Sequence, residues 1–136
     1  CNPRKVFMGE KDFQQLYLVK KLLEKKYKTK VIPCKTIRDN NKVALSSRNF
    51  LVSKSNLVIA ANIYKELVII KKNIKNNKNI SDFLKLQIKR LKNNYKIKID
   101  YLELRNVNNL KISSKKKNSR LFIAYYLNNV RLIDNV

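Results

Sequence analysis

Histidine is missing from all 136 residues, and the chain has only one glycine, two prolines and two cysteines. Histidine is the usual general acid or base near neutral pH, so its absence excludes histidine-based acid–base catalysis and histidine-ligated metal sites in this chain. Cys1 and Cys34 are too few and too irregularly placed for a disulfide framework or a metal centre. In a chain this poor in glycine, we expect Gly9 to be kept for a backbone reason.

Long hydrophobic runs are also missing. No apolar stretch approaches the ~20 residues that are needed to cross a bilayer, and no signal peptide is visible. These absences, together with the low cysteine content, predict a cytoplasmic protein in a reducing compartment. The first residue is Cys1 rather than methionine, which favours a cut N-terminus over a natural one.

Positive charge is abundant, with 32 Lys and Arg against 9 Asp and Glu, for a formal net charge of +23. Such an excess is typical of nucleic-acid-binding proteins, and a small basic protein of that kind is one hypothesis for this chain. However, the lysines are spread along the whole sequence, and the aromatic residues lie mostly on apolar stripes or strands, as core residues do. The densest cluster, Lys115–Lys117, is either a phosphate-binding site or, more commonly, a solvated run.

The first 36 residues have the pattern of a strand, a helix and a second strand. Residues 5–8 and 29–34 are predicted strands, with Pro33 confining the second to a strand end or a sheet edge, and residues 12–26 are a predicted amphipathic helix. Two strands joined by a helix through short connections form a parallel crossover unit. One such unit does not complete a sheet, so we predict that residues 1–36 are the truncated C-terminal end of a Rossmann-like nucleotide-binding domain.

The remainder, residues 37–136, is predicted to be an α+β domain of two helices against a small, mainly antiparallel sheet. Residues 37–49 form a polar loop, Ser53 caps a long helix from about Lys54, and Ser81 caps a second helix that ends near residues 93–94. The first of these helices has an apolar stripe made of Ile59, Ile63, Leu67, Ile70 and Ile74, and residues 71–79 are expected to be a frayed end and a solvated connection. The predicted strands are 97–105, 121–127 and 130–133, with a tight turn at Asn128-Asn129.

Two polar stretches are candidate binding sites. Gly9 is predicted at a strand-to-helix turn, where positive φ and the first helix amides suit a phosphate, and where Lys11, Asp12 and Gln15 converge at helical spacing. The loop Leu45–Asn49 adds the hydroxyls of Ser46 and Ser47 and the guanidinium of Arg48, which are good donors to phosphate oxygens. Each stretch alone is common in proteins.

Together these stretches resemble the pantothenate synthetase (pantoate–β-alanine ligase) family, in its C-terminal half. Gly9–Gln15, then Val31–Pro33, then Ala44–Asn49 follow the family's order and spacing. Ile99–Glu103 and Arg131–Asn135 also resemble the family. Another adenylyl- or cytidylyltransferase of the same superfamily is the nearest alternative.

The resemblance implies a ligase that condenses pantoate with β-alanine and splits ATP to AMP and pyrophosphate through a pantoyl adenylate. It implies Mg²⁺ bound with ATP, although no metal ligand is identified in this chain, and a homodimer when the enzyme is complete. Lys11, Ser46, Ser47 and Arg48 would be catalytic, and Gln15 would bind pantoate. The implied ATP-binding residues are Gly9, Glu10, Lys11, Asp12, Ile37, Leu45, Ser46, Ser47 and Arg48.

The chain departs from the family in two places. Asn41-Lys42 replaces the family's Asp-Gly turn, and we expect Asn41 to adopt the same turn conformation. The family's His-x-Gly-His motif would lie upstream of Cys1, so we expect the 136 residues to be the C-terminal half of the enzyme and inactive alone. In the complete enzyme, Lys11 and Arg48 are expected to face one nucleotide.

Overall fold

The computed structural model describes residues 3–77 and 79–136. Cys1, on which the expectation of a cut N-terminus rests, lies outside the described residues. The chain divides into two compact units, Cys1–Ile37 and Arg38–Val136.

The first unit is a strand–helix–strand crossover. Strand β1 (Lys5–Gly9) pairs in parallel with β2 (Lys30–Cys34), with Val6 opposite Val31, and helix α1 (Phe13–Lys26) connects them. Two further hydrogen bonds extend this pairing toward the N-terminus. The Lys30 amide donates to the Arg4 carbonyl at 3.0 Å, and the Thr29 hydroxyl donates to the Pro3 carbonyl at 2.9 Å. The predicted parallel crossover is therefore confirmed, with boundaries that differ by about one residue, as is usual for assigned element ends.

The second unit contains two helices and a three-stranded sheet. Helices α2 (Lys54–Asn73) and α3 (Ile80–Tyr95) are followed by strands β3 (Lys98–Asn106), β4 (Ser119–Leu127) and β5 (Val130–Asn135). The strands lie in the order β3-β4-β5, and both pairings are antiparallel. The predicted fold class, α/β followed by α+β with a mainly antiparallel sheet, is confirmed.

The core of the second unit lies between α2, α3 and one face of this sheet. Ile63, Leu67, Ile70 and Ile74 are almost fully inaccessible, as are Leu121 and Ile123 on the central strand. Burying a side chain of this size contributes about 1.5–3 kcal/mol relative to leaving it exposed. The apolar stripe predicted for the first long helix is thus the centre of the core, with Ile59 packed at its margin.

Of the two predicted helix caps, one is confirmed and one differs from the structure. The Ser53 hydroxyl accepts from the Asn56 amide at 3.3 Å, as expected of a cap, but α3 is capped by Asn79 rather than Ser81. Asn79 Oδ1 accepts from the Asp82 amide at 3.2 Å, and Asn79 Nδ2 donates to the Asp82 carboxylate at 2.7 Å. This reciprocal pair begins the helix one residue before Ser81.

The segment that follows α2 is more regular than its lysine- and asparagine-rich sequence predicts. The helix extends through Asn73 and continues as a 3₁₀ turn over Ile74–Asn76, so the expected fraying is wrong there. Ile74 is fully buried, and its packing holds the turn against the core. Lys78, which was part of the same expectation, lies outside the described residues.

The β4–β5 hairpin has the predicted two-residue turn. Leu127 pairs with Val130, and Asn128 takes a left-handed φ of 52°. Asparagine tolerates this conformation better than most residues, since its short polar side chain can form local hydrogen bonds. Among the helices that the structure describes, none is long and apolar enough to span a bilayer.

Candidate functional site

The corner at Gly9 does not have the conformation that the sequence predicts. Gly9 has φ −69° and ψ 136°, which is extended backbone that any residue can adopt, so the expected positive φ is wrong. The change of chain direction is taken up by a 3₁₀ turn, Glu10–Asp12, and not by Gly9 itself. A Cβ placed on Gly9 would meet no atom within 4 Å among the described residues. The glycine therefore borders open space.

The 3₁₀ turn changes how the polar residues of this corner are arranged. Lys11 and Asp12 precede α1, Asp12 occupies its N-cap position and Gln15 lies in its first turn, and the convergence of their side chains stays a prediction. Asp12 and Gln15 are exposed, whereas Glu10 and Lys11 are half-buried. The corner presents a carboxylate and an amide to solvent next to the first turn of a helix.

The polar loop of the second unit begins as a small hairpin. The backbones of Arg38 and Ala44 form an antiparallel bridge, and the Asp39 amide donates to the Val43 carbonyl at 2.9 Å. The Asp39 carboxylate accepts from the Val43 amide at 2.8 Å and so closes the turn from inside. The residue with left-handed φ is Lys42, at 72°. The expectation that Asn41 would take this conformation is wrong, because the hydrogen bond from the Lys42 amide to the Asp39 carbonyl places Lys42 at the position that needs it.

The segment after this hairpin displays the predicted phosphate donors. Ser46 is extended, and its hydroxyl accepts from the Arg48 amide at 3.3 Å, which starts a 3₁₀ turn over Ser47–Leu51. Ser47 and Arg48 are exposed, and Leu45 is 53% exposed. Asn49 Nδ2 donates to the Ala44 carbonyl at 3.1 Å and ties the two ends of the segment together. The hydroxyls and the guanidinium are therefore held on a short, internally bonded turn.

The other candidate residue, Ile37, is the last residue of the first unit and is 71% exposed. The role expected for it uses only its backbone, which an exposed apolar side chain does not hinder. The candidate residues divide between the units, with Gly9–Gln15 and Ile37 in the first and Leu45–Arg48 in the second.

Sequence reasoning assigned no role to a buried ion pair next to the loop. Arg38 and Asp134 form a two-pronged pair, with Nη1–Oδ2 at 2.7 Å and Nη2–Oδ1 at 2.8 Å. The carboxylate in the otherwise apolar run Leu132-Ile133-Asp134 was the available signal, because a charge in a strand that packs on a core requires a partner. The sequence does not say which cation is that partner, since the two residues lie 96 positions apart.

The electrostatics around this pair extend to two tyrosines. The Arg38 guanidinium lies 3.7 Å from the centre of the Tyr64 ring. Burial raises the pKa of the Tyr125 phenol, the charge of Asp134 raises it further, and Arg38 opposes the increase. Tyr125 therefore stays neutral throughout the pH range in which the protein would work.

The basic loop of the second unit affects the ionisation of one neighbour. Burial lowers the pKa of Lys71, and the positive charges of Arg120 and Lys116 lower it further. Cations from α2, β4 and the loop thus share one region. A phosphate-binding role for Lys115–Lys117 stays a prediction.

Metal-ligating side chains do not gather in the part of the chain that the structure describes. Within residues 3–77 and 79–136, no group of three or more His, Cys, Asp and Glu residues could hold an ion. Cys34 is an exposed free thiol. The loop of the second unit offers the hydroxyls of Ser46 and Ser47 and the guanidinium of Arg48, which are donors suited to an anionic ligand.

Comparison with known proteins agrees with this chemistry. The family model for Pantoate-beta-alanine ligase matches residues 1–136. A pantothenate synthetase from Flavobacterium psychrophilum is 38% identical over 139 residues, which cover 99% of this chain and 49% of that protein. The chain thus spans about half the length of the curated relatives it matches.

Solved structures of the same family superpose on the fold. The crystal structure of pantothenate synthetase from Thermus thermophilus matches with a TM-score of 0.85 and 26% identity, over 98% of this chain and 49% of that one. Pantoate-beta-alanine ligase from Francisella tularensis, crystallised with Beta-gamma ATP and Beta-alanine, matches with a TM-score of 0.67 and 30% identity, over 99% and 44%. The resemblance read from Gly9–Gln15 and Ala44–Asn49 is confirmed: the chain belongs to the pantoate–beta-alanine ligase family.

Proposed function

We propose that this chain supplies the C-terminal half of an enzyme that joins pantoate to β-alanine with cleavage of ATP. The family match over the whole chain carries this proposal. The Francisella relative, solved with Beta-gamma ATP and Beta-alanine, supports ATP and β-alanine as substrates. The proposed products are pantothenate, AMP and pyrophosphate.

The proposed reaction has two steps. A carboxylate oxygen of pantoate attacks the α-phosphorus of ATP, and the bond to the pyrophosphate oxygen breaks, which leaves pantoyl adenylate. The amine of β-alanine then attacks the acyl carbon, the bond to AMP breaks, and the amine loses a proton. The first step concentrates negative charge on the leaving pyrophosphate, so positioning and electrostatic stabilisation supply most of the catalysis.

Residues of both units would contact the substrates. We assign Gly9, Glu10, Lys11 and Asp12 to ATP, with Lys11 compensating the phosphate charge, and Gln15 to pantoate. The open space beside Gly9 and the exposure of Gln15 are compatible with a ligand there.

The loop of the second unit would complete ATP binding. Ile37 would contact adenosine through its backbone, and Leu45, Ser46, Ser47 and Arg48 would close over the phosphates. Arg48 and Ser47 are exposed and have donors to offer. A guanidinium can bind two phosphate oxygens at once, which a lysine does not do as firmly.

Magnesium, which the family resemblance implies, has no fitting donor set among the residues that the structure describes. Those residues contain no carboxylate cluster. Mg²⁺ usually binds through substrate phosphates with only one or two protein carboxylates, so we assign no step to it here.

The complete enzyme would need a second polypeptide half. We propose that this half carries the His-x-Gly-His motif and the remaining strands of the nucleotide-binding domain, and that the complete enzyme is a cytoplasmic homodimer. Because the 136 residues contain no histidine, we expect the chain to be inactive alone. AMP release from ATP, pantoate and β-alanine tests this expectation, and sustained turnover by the isolated chain would contradict it.

Substitution in the complete enzyme tests the role assignments. Lys11→Ala and Arg48→Ala should each lower the rate of pantoate-dependent pyrophosphate exchange by about tenfold or more, because each removes a charge that stabilises the leaving group. Lys20→Ala and Arg4→Ala remove exposed charges of the same types from the first unit and serve as controls. Normal exchange by both test variants would show that the assignments are wrong.

A further inference from the structure

Arg38 is the first residue of the second unit, and its side chain is largely buried. Its guanidinium donates two hydrogen bonds to the Asp134 carboxylate on β5, at 2.7 and 2.8 Å, and stacks on Tyr64 of α2 at 3.7 Å. The side chains of Arg38 and Asp134 are only 14% and 9% exposed. Burial alone lowers the pKa of Arg38, but the hydrogen bonds and charge of Asp134 outweigh this and raise it, so Arg38 stays charged.

The same guanidinium also holds the loop. Arg38 Nη1 donates to the Lys42 carbonyl at 3.1 Å, across the turn that Asp39 closes. The Arg38 backbone bridges to Ala44, and Ala44 in turn accepts from Asn49 Nδ2. A continuous set of bonds therefore leads from β5 through Arg38 to both ends of the segment Leu45–Arg48.

A buried ion pair is a poor way to gain stability. Removing two charges from water costs much of what their attraction returns, and apolar residues of similar volume often stabilise a fold as well or better. What the fork of arginine adds is direction, since two parallel hydrogen bonds fix the orientation of both partners. The geometry therefore favours a positional role for the pair.

We propose that Arg38 and Asp134 are positioning residues for the loop Leu45–Arg48. They fix the hairpin of residues 38–44 on strand β5 so that Ser46, Ser47 and Arg48 start from a defined point when they bind phosphate. The part of this inference that concerns phosphate rests on the proposed function. The part that concerns the loop rests on the hydrogen bonds alone.

The activity test uses the complete enzyme with Asp134→Asn and Arg38→Lys. The first keeps the shape of the side chain and removes its charge, and the second keeps the charge and removes the fork. Each should lower the rate of pantoate-dependent pyrophosphate exchange by about tenfold or more and raise KM for ATP, because small displacements of positioning groups have large kinetic effects. KM for β-alanine does not depend on the phosphate donors, so it should change by less than about twofold. A change that small is below the kinetic effect of losing one positioned contact.

The matched control is the ion pair between Arg90 and Glu66. It is also two-pronged, at 3.3 and 2.6 Å, and it joins α3 to α2 in the same unit rather than a strand to the loop. Glu66→Gln should lower the melting temperature but leave the rate of pyrophosphate exchange and KM for ATP unchanged. If Glu66→Gln reduces exchange as much as Asp134→Asn, or if Asp134→Asn and Arg38→Lys both exchange normally, the positioning role is overturned.

Amide hydrogen exchange on the 136-residue chain tests the loop without any assay of activity. In Asp134→Asn, the amides of Lys42, Val43 and Asn49 should exchange about tenfold faster or more, because the local opening that exposes them becomes easier. Amides in the middle of α3 should keep their protection. If the hydrogen-exchange rates of all three loop amides are unchanged, the positioning role is overturned. A complete enzyme that never activates pantoate would overturn only the proposed function.

Discussion

The two units of the chain differ in how much of their apolar surface they bury. In the second unit, a continuous core joins both helices and all three strands. In the first, Leu16 and Val31 are buried, but Phe7 is 68% exposed, Leu18 62% and Leu22 56%. The second unit also exposes large apolar side chains, such as Phe50 and Leu86, but only the second unit has an extensive core as well.

This difference shows what each unit requires. A two-stranded sheet is marginal in water, and parallel sheets are normally covered on both faces. The first unit has one helix for its two strands. The sheet face that carries Phe7 therefore needs a covering element that this unit does not supply. The second unit has a sheet with two helices packed against it and requires nothing further to form a core.

Separating the units is the most severe test of this comparison. Residues 38–136 alone should unfold cooperatively on heating, whereas residues 1–37 alone should show no cooperative transition, because a chain that short buries too little surface. Circular dichroism melts and the dispersion of amide resonances measure both outcomes. A cooperative transition in the short piece would remove the distinction between the units.

Truncating one leucine in each unit tests the comparison at single side chains. Leu67→Ala should lower the free energy of unfolding by about 2–5 kcal/mol, because Leu67 is fully buried and leaves a cavity. Leu18→Ala, at a 62% exposed position, should change it by less than about 0.5 kcal/mol. Urea titration of the 136-residue chain gives both values. Equal losses at the two sites would contradict the assigned burial.

The start of α3 offers a smaller test within the well-packed unit. Asn79→Ala should cost about 1 kcal/mol of unfolding free energy, since Asn79 caps the helix through the Asp82 amide. Ser81 is exposed and lies inside the first turn of the helix rather than at its cap, so Ser81→Ala should cost less than about 0.5 kcal/mol. If the larger loss follows Ser81→Ala, the cap is at the position first predicted from the sequence.

The smallest effect concerns the turn beside the candidate site. Lys42 has φ 72°. Lys42→Gly should raise the unfolding free energy by about 0.5 kcal/mol, because glycine relieves the strain of the left-handed conformation by more than it adds in backbone entropy of the unfolded chain. Asn41→Gly, one residue earlier, should give no gain. Denaturant titration compares the two variants, and stabilisation by Asn41→Gly alone would contradict the turn described here.

Local pattern predicted most of the elements. The structure has the buried helix face that the spacing of Ile63, Leu67, Ile70 and Ile74 predicts, and the strands that the alternation near the C-terminus predicts. Both predictions succeed because burial on one face of an element gives the sequence a regular period. The motifs at Gly9–Gln15 and Ala44–Asn49 identified the family. Each of these signals is carried by residues close together in the chain.

The wrong predictions concern residues whose type is compatible with two local structures. Glycine permits positive φ but does not require it, so Gly9 is extended while Lys42 takes the left-handed conformation. Asn79 and Ser81 are both good caps, and the contact of Asn79 with Asp82 decided between them. In each case the deciding hydrogen bond was absent from the sequence pattern.

By itself, the order of residues determined the identity of the family, the two kinds of fold and the apolar faces of the helices. Only the tertiary structure decided that Arg38 joins Asp134 from 96 positions away and thereby anchors the loop. The physical reason is that periodicity reports which side of an element is buried, whereas the partner of a buried charge depends on which elements meet. That meeting is fixed by the packing of the whole unit.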